Sequence, residues 1–322
     1  MQVKEKGPTL KQRANRVQNL GVIMIMVVFI AVVVIVSGSK FFNTTNLLNL
    51  LRSISVTGIM ACAVTLVMVT GNIDLSIGWM IGLTACLTGI YSNNLPMAIG
   101  LALTVGAACG AINGFLVGVL KLNAFITTLA TSYVFNGITM LYTEGKLLTT
   151  KDASPILKNI GQGSLLGIPI PIWIFAVIAV IFWFLLKKTT FGNKIYAVGS
   201  NPISSRFSGV SSAKVTMAVY VLAGLAVGLA GIVFFSKTMS VQQYSGVGLE
   251  FEVLTAIVLG GTSVAGGRGN VLGTVLGVVF VGILGNGFTL MGLGSNAQYI
   301  AQGLILLVAM RADVMNTGGH RA

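Results

Sequence analysis

Residues 187–214 read KKTTFGNKIYAVGSNPISSRFSGVSSAK, a polar segment that lies between two long apolar runs. The segment contains no Asp or Glu, and its basic residues are Lys187, Lys188, Lys194, Arg206 and Lys214. Cytoplasmic loops of membrane proteins carry an excess of Lys and Arg, so this segment is predicted to face the cytoplasm. A long cytoplasmic segment can bind a large soluble partner, which indicates one subunit of a multi-chain assembly.

The composition of the whole chain predicts a membrane protein. Of its 322 residues, 55% are hydrophobic and 8% are charged, and the mean hydropathy is +0.91. Soluble domains carry about 25% charged residues, so this chain cannot cover a water-facing surface. The predicted fold class is all-α and polytopic, with one transmembrane domain over residues 20–310 between cytoplasmic tails at 1–19 and 311–322.

A bilayer core requires about 20 apolar residues per helix, and ten charge-poor runs approach that length. They lie at 20–36, 54–70, 75–91, 96–120, 124–142, 168–186, 215–236, 253–267, 271–291 and 297–310. The run at 253–267 is short enough to be a re-entrant half-helix, so about eight to ten spans are expected. Ten spans place both termini in the cytoplasm, and 14 of the 20 Lys and Arg residues then lie on that side.

The net charge of +13 would suggest nucleic acid binding in a soluble protein. Here the positive charge is concentrated in the N-terminal tail and in residues 187–214, so membrane topology explains it and nucleic acid binding is not expected. Residues 1–36 resemble a signal peptide, but their basic region is long and many spans follow. This pattern favours an uncleaved first helix.

The sequence does not indicate enzyme chemistry. Cys62, Cys86 and Cys109 lie in apolar runs, are odd in number and form no Cys-x-x-Cys, so neither a disulfide framework nor a metal site is expected. His320 is the single histidine, and no Gly-x4-Gly-Lys-Ser/Thr nucleotide loop occurs. The chain is therefore not expected to be an enzyme or to bind a cofactor, and any ATP hydrolysis must lie on a separate chain.

A faint internal repeat is present. Asn113-Gly114-Phe115 is followed by Asn123-Ala124, and Asn286-Gly287-Phe288 is followed at the same interval by Asn296-Ala297. In the ten-span topology the first copy ends a span that runs inward, and the second ends a span that runs outward. Opposite directions are what an inverted-topology duplication predicts.

Two further segments interrupt the apolar runs. In GNIDLSIG, residues 71–78, Asp74 precedes a span, which favours a helix N-cap role. The alternative is a residue that lines a translocation path, because ionisable groups at membrane depth are costly and often functional. LGGTSVAGGRG, residues 259–269, predicts a sharp turn or a broken helix between two spans. Spaced glycines such as Gly224 and Gly228 predict close helix packing in lipid.

These two segments, together with YAVGSN at 196–201 and FSGV at 207–210, resemble signature stretches of bacterial ABC importer permeases of the ribose, xylose, arabinose and galactose group. The resemblance runs from about residue 45 to the C-terminus. It implies a permease of the bacterial cytoplasmic membrane that forms a pore with a second, identical or related, permease subunit. It also implies cytoplasmic ATPase subunits that bind ATP and Mg²⁺, and an extracytoplasmic sugar-binding protein.

The resemblance further implies that the basic segment contacts the ATPase through Tyr196, Ala197, Gly199, Asn201, Ser205, Phe207, Ser208 and Gly209. The residues agree with this interpretation. A short helix after Asn201 would have Pro202 in its first turn and would present Ile203 and Phe207, at i and i+4, on one face. The alternative is a helix that lies on the membrane surface among lipid headgroups. Docking is favoured because of the resemblance.

The predicted function is the pore-forming permease of an ATP-driven, binding-protein-dependent importer for a monosaccharide such as ribose. Candidate pore residues are Thr65, Asn72, Asp74, Ser76 and Thr262. Candidate contacts with the binding protein, in the predicted outer loops, are Glu144, Asp152, Gln242, Gln243, Tyr244 and Glu250. The same assembly could instead import a sugar-derived signal such as autoinducer-2, or a nucleoside. An ion-coupled secondary transporter is a weaker alternative, because such relays usually need several membrane-depth acids and Asp74 is the one candidate.

Overall fold

The structure is a computed structural model that describes residues 26–150, 152–242 and 244–318. It is a helical protein, which confirms the predicted all-α class, and six of its described helices are long and apolar enough to cross a membrane. These six are α2 (Thr44–Val69), α4 (Leu95–Val119), α5 (Ala124–Thr143), α7 (Ile170–Lys188), α10 (Ser212–Thr238) and α12 (Val271–Leu290). The last turn of α4, Phe115–Val119, is a π-helix.

The other predicted runs are also helical. The described part of the first run and its continuation form α1 (Met26–Lys40), and a second shorter apolar helix is α3 (Ile77–Ile90). The run at 253–267 gives α11 (Leu249–Leu259) and the last gives α13 (Ser295–Gly318). At a rise of about 1.5 Å per residue, α11 is about 16 Å long, roughly half the thickness of a bilayer core.

Short elements connect the long helices. Three of them are helical, namely α6 (Pro155–Gln162), α8 (Thr190–Ser200) and α9 (Pro202–Phe207). Strand β1 (Leu148–Thr149) pairs antiparallel with β4 (Ser240–Val241), and β2 (Ser164–Leu165) pairs antiparallel with β3 (Ile168–Pro169). The basic segment 187–214 is thus mostly helical, because it contains α8 and α9 together with the end of α7 at Lys188 and the start of α10 at Ser212.

Asparagine side chains mark where many of the helices begin. The side chains of five of them accept a hydrogen bond from a backbone N–H in the first turn of α2, α4, α5, α9 and α12, and these caps are Asn43, Asn94, Asn123, Asn201 and Asn270. The first N–H groups of a helix have no partner within the helix, and a side-chain oxygen at the N-cap satisfies one of them. Each of these asparagines therefore marks the residue at which a helix begins.

Helix α2 is the centre of the packing. Residues 54–69 of α2 are all buried, and the helix contacts α7, α10, α11 and α12. By contrast, α5 and α7 keep large apolar side chains exposed, among them Leu141, Val180 and Phe184. A helix that is buried on every side lies in the core, and the exposed apolar faces of α5 and α7 are suited to lipid.

Glycines allow the closest helix contact, between α4 and α10. Gly106 and Gly110 on α4 face Gly224 and Gly228 on α10, and a Cβ on Gly106 would overlap the Gly224 carbonyl oxygen. A Cβ on Gly224 would in turn overlap the Gly106 carbonyl oxygen. Helices in lipid associate through such backbone contact between small residues, as the spacing of Gly224 and Gly228 predicts.

The helix contacts agree with the internal repeat. Helix α3 packs against α4 and α5, and α11 packs in the same way against α12 and α13. Helix α4 packs along α10, while its counterpart α12 packs along α2. The pattern of contacts is therefore unchanged when α2–α5 are exchanged with α10–α13, which supports a duplication.

The helix α2 begins at Thr44, well before the predicted start of its apolar run at residue 54. The polar residues Asn46, Asn49 and Arg52 interrupt the apolar pattern, but Asn43 caps the helix upstream of them. Helix α13 likewise continues through residues 311–318, which the sequence suggests to be a tail. The predicted limits of the domain and its tails remain predictions.

Candidate functional site

Two short helices, α8 and α9, form the surface predicted to dock an ATPase. The Thr189 side chain caps α8 by accepting a hydrogen bond from the Gly192 N–H at 3.1 Å. Asn201 Oδ1 caps α9 by accepting from the N–H groups of Ile203 at 3.0 Å and Ser204 at 2.9 Å. Pro202 is the first residue of α9, so the predicted short helix with proline in its first turn is confirmed.

The apolar side chains of α9 point away from the protein. Ile203 is 72% exposed and Phe207, one turn later, is 90% exposed. Ser205 is buried on the opposite side, and its hydroxyl donates to the Pro202 carbonyl at 2.9 Å. Asn201, Ser208 and Gly209 are also exposed, and Gly209 has a φ of +77° that lets the chain leave the helix. An exposed Phe beside an exposed Ile is an apolar patch that a partner could cover.

The inner side of α8 contacts the glycine-rich turn 260–269. The hydroxyl of Tyr196 donates to the Gly269 carbonyl oxygen at 2.7 Å. Gly199 lies against the Val69 carbonyl oxygen at the end of α2, where a Cβ would overlap that oxygen, and the Gly267 N–H donates to the same oxygen at 2.8 Å. Burial raises the pKa of Tyr196, so the phenol remains a hydrogen-bond donor at neutral pH.

The other side of this turn is held by Asp313 on α13. Its Oδ2 accepts hydrogen bonds from the Ser263 hydroxyl at 2.9 Å and from the Val264 N–H at 3.1 Å. Its Oδ1 lies 3.6 Å from the Arg268 guanidinium. Sequence reasoning missed Asp313, because it follows the last apolar run and reads as part of a polar tail. The turn therefore joins α8, the end of α2 and α13.

Asp74 does not cap α3 as the sequence favours. The N-cap residue of α3 is Ser76, without a side-chain cap bond, and Asp74 Oδ1 accepts from the Ser76 N–H at 2.9 Å and the Ser76 hydroxyl at 2.6 Å. Asn113 donates to the Ser76 hydroxyl at 2.8 Å and accepts from the Thr131 hydroxyl at 2.8 Å. The capping prediction is wrong because α3 begins at Ile77, so the Asp74 carboxylate accepts from the N–H of the N-cap residue itself and not from one in the first turn of the helix. Asp74 instead begins a buried chain of hydrogen bonds that joins α3, α4 and α5.

The candidate pore residues are mostly packed inside the protein. Thr65 is buried and its hydroxyl lies 2.8 Å from the Thr274 hydroxyl. Asp74, Ser76 and Thr262 are buried, whereas Asn72 is half-buried and donates to the Thr70 hydroxyl. Their role in a translocation path remains a prediction.

The candidate contacts with a binding protein lie in loops at the other end of the long helices. Glu144, Asp152, Gln242 and Tyr244 are exposed, and Gln243 lies outside the described residues. Glu250 is buried at the start of α11, where it accepts a hydrogen bond from the Gly248 N–H at 3.1 Å. This bond stabilises the turn before α11, so Glu250 is the candidate least suited to surface contact. The contacts of all six residues with a binding protein remain predictions.

Comparisons with known proteins assign the chain to a family. Residues 46–310 match the family described as branched-chain amino acid transport system / permease component. The ribose import permease protein RbsC of Haemophilus influenzae is 38% identical over 89% of this chain and 90% of its own length. RbsC of Escherichia coli K12 is 39% identical over 89% and 91%, and the L-arabinose transport system permease protein AraH of that strain is 34% identical over 90% and 88%. No solved structure gives a significant match. The chain belongs to this family of membrane permeases.

The Tyr196 hydrogen bond is predicted to stabilise the contact between α8 and the glycine-rich turn. Replacing Tyr196 with Phe should lower the stability of the folded protein by about 1 kcal/mol, because the Gly269 carbonyl loses its donor. The measurement is thermal unfolding of the purified protein in detergent. Tyr142→Phe is the matched control, since Tyr142 is 60% exposed on α5. Equal unfolding temperatures for the two variants would contradict this prediction.

Proposed function

We propose that the chain is the pore-forming permease subunit of a binding-protein-dependent ABC importer for ribose. The observation that carries the proposal is the similarity, over about nine-tenths of both chains, to permeases named for ribose import. Relatives named for L-arabinose transport are less similar. ATP and Mg²⁺ bind to a separate ATPase, and a second permease subunit, identical or related, completes the pore.

The exposed helix α9 supports the docking part of the proposal. Interface hot spots are apolar and aromatic side chains that become buried by the partner, and Ile203 and Phe207 are such side chains. The same helix is connected through α8 to the glycine-rich turn and to the end of α2. A movement of α9 caused by the ATPase would therefore be passed to α2, because α8 is in direct backbone contact with the end of α2.

ATP-driven uptake of ribose is the first test of the proposed function. The permease and its ATPase are reconstituted in liposomes. ATP is supplied on the side of the membrane that carries the ATPase, the binding protein and radiolabelled ribose are supplied on the other side, and transport of ribose across the membrane is measured. We expect uptake that requires ATP hydrolysis and persists when ionophores dissipate ion gradients. Uptake that depends on a gradient would instead identify a secondary transporter. Uptake of leucine without ribose would contradict the sugar assignment.

Phe207→Ser tests the docking surface. We expect at least a tenfold loss of affinity for the ATPase, because a buried aromatic hot spot contributes about 2 kcal/mol or more, while the thermal stability of the permease is unchanged. Leu166→Ser is the control, since Leu166 is 86% exposed in the turn between β2 and β3. The measurement is retention of the ATPase on the immobilised permease in detergent. Equal retention by both variants would show that α9 lies elsewhere, for example on lipid.

The orientation of the chain is tested by cysteine labelling. Ser204→Cys on α9 and Ser164→Cys on β2 place single thiols at exposed positions, and the native cysteines are buried, which keeps the background low. We expect a membrane-impermeant maleimide to label the Ser164→Cys variant in intact cells. The Ser204→Cys variant should be labelled in inside-out vesicles but not in intact cells. The opposite pattern would place the basic segment outside the cell and exclude docking to a cytoplasmic ATPase.

A further inference from the structure

A polar cavity of about 710 Å³ lies at the end of the protein opposite to α8 and α9. Its wall combines side chains from α2, α10, α11, α12 and α13, with Asn49, Arg52, Lys237, Glu252, Asn286 and Gln298 among them. Arg52 lies 17 residues before Val69, which α8 contacts, so about 26 Å of helix α2 separates the cavity from the docking end. The volume is within the range of about 300–1,000 Å³ that small-molecule sites occupy.

The charged and amide side chains around the cavity are unusual in a membrane protein. Charged and amide side chains are costly in a membrane protein unless they are paired or line an aqueous space. Two of them, Asn49 and Arg52, also break the apolar pattern at the start of α2. Because Asn43 caps that helix upstream, the helix carries these polar side chains into the protein wall instead of ending before them.

The hydrogen bonds within the described residues leave polar groups available to a ligand. Arg52 Nη1 donates to Asn49 Oδ1 at 3.3 Å and Nη2 to the Gln162 carbonyl at 3.1 Å, and each of these nitrogens carries a second N–H. Glu252 Oε1 accepts from the Thr57 hydroxyl at 2.9 Å. Lys237 and Glu252 attract each other, but within the described part of the chain no contact of 4.0 Å or less joins them.

This chemistry matches the vicinal hydroxyl groups of a sugar. Carboxylate and amide oxygens accept hydrogen bonds, and guanidinium, ammonium and amide N–H groups donate them, whereas each sugar hydroxyl does both. The cavity has few large apolar side chains in its wall, and these are Leu50 and Val281. A polyhydroxylated ligand would therefore find many hydrogen-bonding partners in this cavity.

We infer that this cavity is a binding station for the imported sugar on the outer half of its path through the permease. The inference rests on the proposed function and adds the place and the chemistry of the contact. Glycines shape the wall on α12, since a Cβ on Gly285 would come within 2.8 Å of the Gln298 amide nitrogen. The station holds the sugar through neutral and charged hydrogen-bonding groups while the helices around α2 change their packing.

The test compares sugar transported per ATP hydrolysed in the complete importer, reconstituted in liposomes with radiolabelled ribose. The cavity variants are Thr289→Val and Gln298→Leu, which remove hydrogen-bonding groups from the wall. Thr104→Val is the matched control. Thr104 and Thr289 are both exposed and each donates to the carbonyl four residues earlier, but Thr104 lies on α4, away from the cavity. The two valine substitutions therefore affect helix stability alike.

We expect the two cavity variants to transport about two- to tenfold less ribose per ATP, the factor that loss of one neutral hydrogen bond produces. The Thr104→Val importer should match the wild type. Unchanged ratios in both cavity variants would overturn the inference, and so would an equal loss in Thr104→Val, since it would report general damage. If the wild-type importer takes up no ribose, the proposed function itself fails. Normal uptake by the wild type and by every variant would overturn the binding station alone.

Discussion

The contact on which the rest of the structure depends is made by the Val69 carbonyl oxygen, at the end of the central helix α2. It accepts a hydrogen bond from the Gly267 N–H at 2.8 Å, and Gly199 of α8 lies against it so closely that no side chain fits. Three separate parts of the chain therefore meet at one backbone atom. Because residues 54–69 of α2 are buried by other helices, α8 is in direct contact with the end of the core helix.

Backbone-to-backbone packing is the general means by which this protein holds its helices together. Apolar side chains gain little by moving from lipid into a protein interior, so dispersion contact between close surfaces must replace the hydrophobic effect. The glycines of α4 and α10 provide such contact. Helix α12 makes the same kind of contact with α11, where a Cβ on Gly277 would overlap the Ala256 carbonyl oxygen.

Polar groups are concentrated at the two ends of the helix bundle. At one end, Asp74, Ser76 and Asn113 are linked in a buried chain of hydrogen bonds, and Asp313 holds the glycine-rich turn. At the other end, the polar groups surround a cavity. Buried hydrogen-bonded networks make a structure rigid, while polar groups around an open space remain accessible. The two ends of the bundle therefore differ in how their polar groups are held.

The sequence by itself determined the all-helical membrane class, the approximate positions of the helices and the short proline-initiated helix that exposes Ile203 and Phe207. These features follow from local composition, from caps and from charge, which act over one or two helical turns. Only the tertiary structure decided that Ser76 bonds to Asn113, that Asp313 holds the glycine-rich turn, and that Arg52, Lys237 and Glu252 share one cavity. Those residues are far apart in sequence or interrupt the apolar pattern, so no local signal brings them together, and their neighbours are chosen by helix packing.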